Sequence, residues 1–252
     1  MQQSDTPEET TLPSPVARRK ILWSAHRRRP AFLLLLLVGL AAALVWFPGE
    51  ARASLWRALS AQRELAALVF LFALLTLSLI WSAGERWDSR IFRLFNQHSY
   101  PKWLDNYMWL FTQLGNMLAA FIVAFVFFLL GYRYLAVEII LATLILWLLV
   151  ETVKALAVRD RPFLTLEDTR VIGWREKGDS FPSGHTTQIF FLVTLLTLRF
   201  IPGLGISLAL YTVAAFVGFT RIYVGAHYPR DVLGGAVLGS IWGILAMLVS
   251  PA

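Results

Sequence analysis

The sequence predicts an all-α fold, a polytopic membrane helix bundle. Of the 252 residues, 57% are hydrophobic and only 15% are charged. Seven apolar segments approach the roughly 20 residues that a helix needs to cross a bilayer. They lie at 31–48, 65–83, 117–132, 134–154, 185–200, 204–221 and 231–249. The ten Trp and seven Tyr suit a protein with two membrane interfaces, where amphipathic rings prefer to lie.

The first 29 residues are expected to form a disordered basic tail. Residues 1–17 are polar, contain proline and lack periodicity, which is the composition of a segment that does not fold. Six cations then precede the first apolar segment: Arg18, Arg19, Lys20, Arg27, Arg28 and Arg29. This placement indicates a topology signal or a contact with anionic lipid. We therefore expect no nucleic-acid partner despite the net charge of +7.

The apolar segment at 31–48 has two interpretations. Its basic flank and the small residues that follow it resemble a signal-peptide cleavage region. The long basic leader and the 18 hydrophobic residues favour an uncleaved anchor instead. We expect this additional N-terminal hydrophobic segment and its connector to occupy residues 30–64, followed by the membrane domain at 65–250.

Two further features concern the organisation of the bundle. Residues 84–116 carry spaced aromatic, leucine and arginine residues, which suit either short helices in the interface plane or a connecting loop with aromatic anchors. We expect the loop. In the last segment, Gly235, Gly239 and Gly243 recur every four residues, a spacing that lets another helix approach closely.

Polar residues collect at three segment ends, of which "KALAVRDRP" is the first. Lys154 and Arg161 are seven residues apart, close to two helical turns, so both are expected to project from one face. Two cations would then point at one place near the membrane surface. The alternative is a basic helix end that complements its own dipole. We interpret Arg159 and Asp160 as solvated neighbours.

The second polar stretch, "FPSGH", begins the fifth apolar segment. Ser183 is a plausible helix N-cap, and Gly184 lets a ligand approach the backbone. Free N–H groups at a helix start form an anion site, where His185 could give a proton to a departing oxygen. An ordinary helix cap would explain Ser183 but not the other two residues.

The third stretch, "TRIYVGAHYPRD", contains Arg221, His227 and Asp231. Asp231 follows His227 by four residues, near enough to accept a hydrogen bond from one imidazole nitrogen. That bond would leave the other nitrogen free as a nucleophile. The alternative is an incidental surface pair. If the helices cross the bilayer in sequence, all three polar stretches fall on one side of the membrane.

Together these groups suit phosphoryl transfer, which needs fixed positive partners, an in-line nucleophile and a proton for the leaving oxygen. The expected substrate-binding residues are Lys154, Arg161, Ser183, Gly184 and Arg221. The expected catalytic residues are His227 as nucleophile, Asp231 as its orienting carboxylate and His185 as acid and base. No metal or other cofactor is expected, because the cations take the place of Mg²⁺. The chain has no cysteine, which excludes disulfides and thiolate catalysis.

The spacings K-x6-R-P, P-S-G-H and R-x5-H-x3-D resemble the three signature motifs of the type 2 phosphatidic acid phosphatase (PAP2) family, which is related to the vanadium-dependent haloperoxidases. The resemblance covers about residues 65–249. It implies a six-helix core and the same roles for the eight residues named above. Thr220 stands where the usual pattern has serine, and the hydroxyl is retained.

The expected function is that of a membrane phosphatase acting on a lipid phosphate or prenyl diphosphate. Undecaprenyl diphosphate is the first expectation, and phosphatidate and phosphatidylglycerophosphate are the alternatives. A non-catalytic lipid-phosphate binding or transport protein is the alternative of another class. The loop at 163–180 is expected to border the entrance, although its mixed charges could form a solvated surface.

The resemblance and the charge pattern conflict over orientation. The basic block places the N-terminus inside, and seven crossings would then put the catalytic ends on the cytoplasmic side. Bacterial members of the family usually have outward-facing sites. We expect an integral protein of the bacterial inner membrane with its site outward. Oligomeric state is left open.

Overall fold

The computed structural model describes residues 61–79 and 82–249, together with position 38. The chain divides into two compact units, Met1–Ala58 and Leu59–Ala252. The predicted tail at 1–29 lies outside the described residues, as does the segment at 31–48 apart from Val38. The proposed division at 30–64 and 65–250 stays a prediction.

Within the described residues the second unit is helical. Its helices, in chain order, are α1 (Arg63–Ser78), α2 (Ser82–Asn96), α3 (Lys102–Thr112), α4 (Met117–Leu129), α5 (Arg133–Ala157), α6 (Pro162–Thr165), α7 (Gly184–Phe200), α8 (Leu204–Tyr223) and α9 (Pro229–Val249). A short 3₁₀ helix, Gln113–Gly115, joins α3 to α4. The all-α prediction is confirmed, and the last six apolar segments correspond to α1, α4, α5, α7, α8 and α9.

The loop predicted at 84–116 is wrong, because α2 and α3 occupy most of this region. In α2, Asp88, Phe92 and Asn96 are buried at four-residue spacing, whereas Trp87 and Leu94 are exposed. The helix therefore turns two of its polar residues inward and several apolar ones outward. The apolar positions that recur along α2 therefore mark its outward face, the reverse of the usual amphipathic pattern in a globular protein.

Three described helices are long and apolar enough to cross a membrane: the one that starts at Arg133, α8 and α9. Two bent pairs, α1 with α2 and α3 with α4, would raise the number to five. The helix α7 has 17 residues, somewhat short of the roughly 20 that span a bilayer. The described spans are thus fewer than the six apolar segments suggested, because several segments form short or bent helices.

The helices α7 and α9 pack closely through the predicted glycines. A Cβ atom on Gly235 would lie 2.7 Å from the Ser183 carbonyl oxygen, and one on Gly243 would lie 2.7 Å from the Thr194 Cβ. Gly239 faces the Thr187 carbonyl oxygen with still less room. The prediction of close packing is confirmed. Because the amide of Ser183 also donates to the Asp231 carbonyl oxygen at 3.0 Å, the N-terminal ends of both helices meet.

Candidate active site

The three polar stretches lie together at one end of the bundle. The predicted residues lie at or beside four helix ends: the end of α5, the start of α7, the end of α8 and the start of α9. The loop between α6 and α7 covers them. Arg161 is 1% exposed and directly precedes Pro162, the first residue of α6. Its Nε donates to the Gly178 carbonyl oxygen at 3.0 Å, which ties the covering loop to the site.

The ring of His227 is buried beside Arg161. Its Nδ1 lies 2.8 Å from the Ser180 carbonyl oxygen, and because a carbonyl oxygen only accepts, Nδ1 carries the proton in this arrangement. The lone pair of Nε2 is left facing the site, 3.4 Å from Nη1 of Arg161. Burial, followed by repulsion from Arg161, lowers the pKa of His227 to about 4. The imidazole is therefore neutral near pH 7.

Asp231 does not orient His227 directly, as the sequence suggested. Its Oδ2 is 3.8 Å from Nδ1 of His227, too far for a hydrogen bond. This oxygen accepts instead from the Ser180 hydroxyl at 2.6 Å and from the Tyr228 amide at 2.8 Å. The four-residue spacing misled because α9 begins at Pro229, so His227 and Asp231 do not share a helix. Ser180 lies between the two residues.

Arg159 is not a solvated neighbour, and that interpretation is corrected. It is 9% exposed, forms ion pairs with Asp88 and Asp231, and stacks on the Tyr228 ring at 4.6 Å. Val158 ends α5 in the left-handed conformation, φ 44°, so Arg159 no longer follows the helical face. Asp160 is partly exposed.

The start of α7 differs in one detail from its prediction. Ser183 occupies the N-cap position, but its side chain makes no capping bond to the backbone. Its hydroxyl accepts from the Thr186 hydroxyl at 3.0 Å. Space remains at Gly184, where an added Cβ would meet only Val150, at 3.9 Å. His185 keeps 21% of its side chain exposed and faces the site.

Lys154 lies in the same cavity as His185, but its ammonium group pairs with Glu151 at 2.7 Å. Arg221 is buried, and one of its nitrogens donates to the Thr112 hydroxyl at 3.0 Å. The structure thus places Arg161, Arg221, His185 and His227 together and leaves Lys154 at the margin.

Glu176, which has no separate role among the residues predicted for the site, lies at its centre. Its carboxylate pairs with Nη1 of Arg161 at 2.8 Å and with Arg221. It lies 3.8 Å from Nε2 of His227 and 4.0 Å from Nδ1 of His185. Burial opposes its ionisation, but Arg221 and then the other three residues outweigh it, so the pKa of Glu176 is below its ordinary value. Buried cations need a nearby anion. The pair of predicted site arginines was therefore the signal in the sequence that an acidic residue would lie beside them.

Two cavities of about 210 Å³ each meet at Glu176 and His185. One is lined by Leu146, Trp147, Val150 and Lys154. The other is lined by Trp109, Phe163, Trp174 and Arg221. Among the described residues, no group of three or more His, Cys, Asp or Glu residues is placed to hold a metal ion. The site can bind an anion between two guanidinium groups, beside one neutral and one partly exposed imidazole.

Comparison with known proteins finds several that are similar to this chain. A family model described as the PAP2 superfamily matches residues 131–252. The bacitracin transport permease protein BcrC of Bacillus licheniformis is 32% identical over 120 residues, which are 47% of this chain and 57% of that protein. The undecaprenyl-diphosphatase of Sulfolobus acidocaldarius is 25% identical over 191 residues, 72% of this chain and 89% of that protein. The chain covers only 28% to 57% of the length of the first curated relatives that it matches.

Two solved structures are similar. One is the crystal structure of a transmembrane PAP2 type phosphatidylglycerolphosphate phosphatase from Bacillus subtilis. It matches with a TM-score of 0.61 and 25% identity, over 73% of this chain and 94% of that one. The LpxE protein of Aquifex aeolicus matches with a TM-score of 0.55 and 32% identity, over 63% and 93% of the two chains. With the apolar helices, these similarities identify an integral membrane protein.

Proposed function

The chain belongs to the PAP2 superfamily, and we propose that it is a membrane phosphatase that hydrolyses a lipid phosphate or prenyl diphosphate. One observation carries the proposal: the unprotonated Nε2 of His227 faces an anion site formed by Arg161 and Arg221. A neutral, oriented imidazole next to two guanidinium groups is what nucleophilic attack on a phosphoryl group requires.

In the proposed first step, Nε2 of His227 attacks phosphorus, and the bond from phosphorus to the leaving oxygen breaks. His185, which takes up a proton when the anionic phosphate binds beside it, gives that proton to the leaving oxygen, and a phosphohistidine remains. In the second step, a water molecule attacks phosphorus while His185 takes one of its protons. The nitrogen–phosphorus bond breaks, inorganic phosphate leaves, and both histidines return to their starting states.

The binding roles follow from charge and position. Arg161 and Arg221 would hold the equatorial oxygens, where negative charge is spread in the transition state. Free amides at the start of α7, near Ser183 and Gly184, would add hydrogen bonds. Lys154 would leave Glu151 to contact a phosphate that enters its cavity. Asp231 would act on His227 through Ser180, without contact with the substrate.

Undecaprenyl diphosphate is the first proposed substrate. The name of the Sulfolobus relative supports this choice, and the name of the Bacillus subtilis structure supports phosphatidylglycerophosphate as the alternative. Phosphatidate is a third candidate. A transport or binding protein is the competing class, favoured by the name of the Bacillus licheniformis relative.

The test is phosphate release by purified protein in detergent micelles without added metal, measured with each of the three lipids. We expect His227→Ala to lower the rate by on the order of a thousandfold or more. His98→Ala is the matched control, because His98 is exposed and lies outside the site. Unchanged release by the His227 variant would exclude this mechanism, and no release by the wild type from any lipid would favour the binding class.

A further inference from the structure

Glu176 lies between the side chains that are proposed above to bind and transfer phosphate. Its two carboxylate oxygens pair with Arg161 and Arg221 and lie within 4.0 Å of both histidines. These four side chains are the ones assigned above to binding and transfer of the phosphoryl group. A substrate phosphate and this carboxylate cannot occupy the same space.

The segment that carries Glu176 is a short stretch between two glycines, and much of it is exposed. We call residues 173–178 the strap. Gly173 and Gly178 bound it, each with φ of 82°, a conformation that glycine adopts without strain. Trp174 and Arg175 are exposed, and 31% of the Glu176 side chain remains accessible. The carboxylate therefore has a short path to water.

Glu176 also lies on the wall that the two cavities of the site share. Both cavities include Glu176 and His185 in their walls, and one contains Lys154 whereas the other contains Arg221. Withdrawal of the carboxylate would join the cavities in front of His185. The joined space would admit a lipid headgroup to Arg161 and Arg221.

We propose that Glu176 is an internal occupant of the phosphate site, which the substrate must displace, and that it makes the site selective for phosphate groups with two negative charges. The inference rests on the proposed function, since it assumes that Arg161 and Arg221 bind phosphate. Glu176 is thus a specificity-determining residue. It acts by competing with the substrate.

The selectivity follows from charge. A phosphodiester carries one negative charge, as the carboxylate does, so it gains no more attraction from the two guanidinium groups. The tethered carboxylate is also present at an effective concentration on the order of millimolar. A phosphate monoester or terminal diphosphate with two charges gains about twice the Coulomb attraction and displaces it.

The test measures binding of orthophosphate and of dimethyl phosphate to the full chain in micelles at pH 8 by calorimetry. Glu176→Gln removes the competing charge and is expected to bind orthophosphate about tenfold or more tightly, with dimethyl phosphate binding becoming measurable. Glu167→Gln is the matched control: it changes the net charge equally, and Glu167 is exposed in the same loop. It should stay within about twofold of the wild type. Equal or weaker orthophosphate binding by Glu176→Gln would overturn the proposal.

A second measurement leaves Glu176 intact. Since the chain has no cysteine, Arg175→Cys can carry a single environment-sensitive fluorophore on the strap. Orthophosphate should change its emission with the dissociation constant found by calorimetry, and dimethyl phosphate should not. Bound orthophosphate without an emission change would contradict displacement of the strap. Both measurements report binding, so a protein that binds phosphate but releases none from lipids would refute the phosphatase function and leave this competition testable.

Discussion

At the residue scale, the reactivity proposed for His227 depends on a main-chain group. The Ser180 carbonyl oxygen fixes the Nδ1 proton, and the Ser180 hydroxyl donates to Asp231. Asp231 is in turn paired with Arg159, whose carbonyl oxygen accepts from the Ser180 amide at 2.7 Å. The carboxylate therefore holds the loop that holds the histidine.

This connection predicts a moderate effect for Asp231→Asn. We expect a loss in kcat of about 10- to 100-fold, as for groups that act through another residue. A carboxylate bonded directly to a catalytic histidine would cost about 10⁴-fold. The measurement is phosphate release, with exposed Asp168→Asn as the control. A loss equal to that of His227→Ala would indicate a direct bond between Asp231 and His227 during turnover.

The lowered pKa of His227 predicts its titration. The folded protein keeps the imidazole neutral down to about pH 4, against an ordinary value of 6.5. Between these values the unfolded chain binds a proton that the folded one does not, so stability falls as the pH is lowered through this range. NMR of ring-labelled histidine, assigned with the His227→Gln variant, should show the neutral form at pH 6. A midpoint near 6.5 would contradict the prediction.

At the element scale, α7 and α9 position the site by their close approach. The two helices meet at glycines, and their N-terminal ends supply His185 and Asp231. The residues of α2 support the same end, because Asp88 pairs with both Arg159 and Arg230. The glycine spacing was readable in the sequence. The role of α2 was not, because an isolated aspartate in a polar stretch carries no sign of a partner 71 residues away.

The packing predicts that Gly239→Val destabilises the protein and lowers its activity. The added carbons would meet the Thr187 carbonyl oxygen and the Phe190 side chain, and overpacking costs about 1–3 kcal/mol. Gly205→Val in α8 is the control, since a Cβ there meets nothing within 4 Å. Thermal stability can be measured by size-exclusion chromatography after heating. We expect the Gly239 variant to lose its folded peak at a lower temperature than the Gly205 variant. Equal stability would mean that α7 and α9 tolerate a wider separation.

At the scale of the whole molecule, the site lies at one end of α7, whose 17 residues place the α7–α8 turn about 26 Å away. We propose that the protein resides in the bacterial inner membrane with the site facing outward. Cysteines introduced at Arg175 and at Leu204, both exposed, would report on the two ends. In intact cells, an impermeant maleimide should label position 175 alone. Labelling of position 204 alone would reverse the orientation.

The sequence by itself determined the helical class, the apolar helices and the predicted site residues that gather at one end, because hydrophobic runs and short polar motifs are local signals. The tertiary structure decided how those residues are connected. It placed Ser180 between His227 and Asp231, buried Arg159 between two carboxylates, and put Glu176 in the anion site. Each of these contacts joins distant parts of the chain, and its strength depends on burial and on neighbouring charge, neither of which a spacing along the sequence specifies.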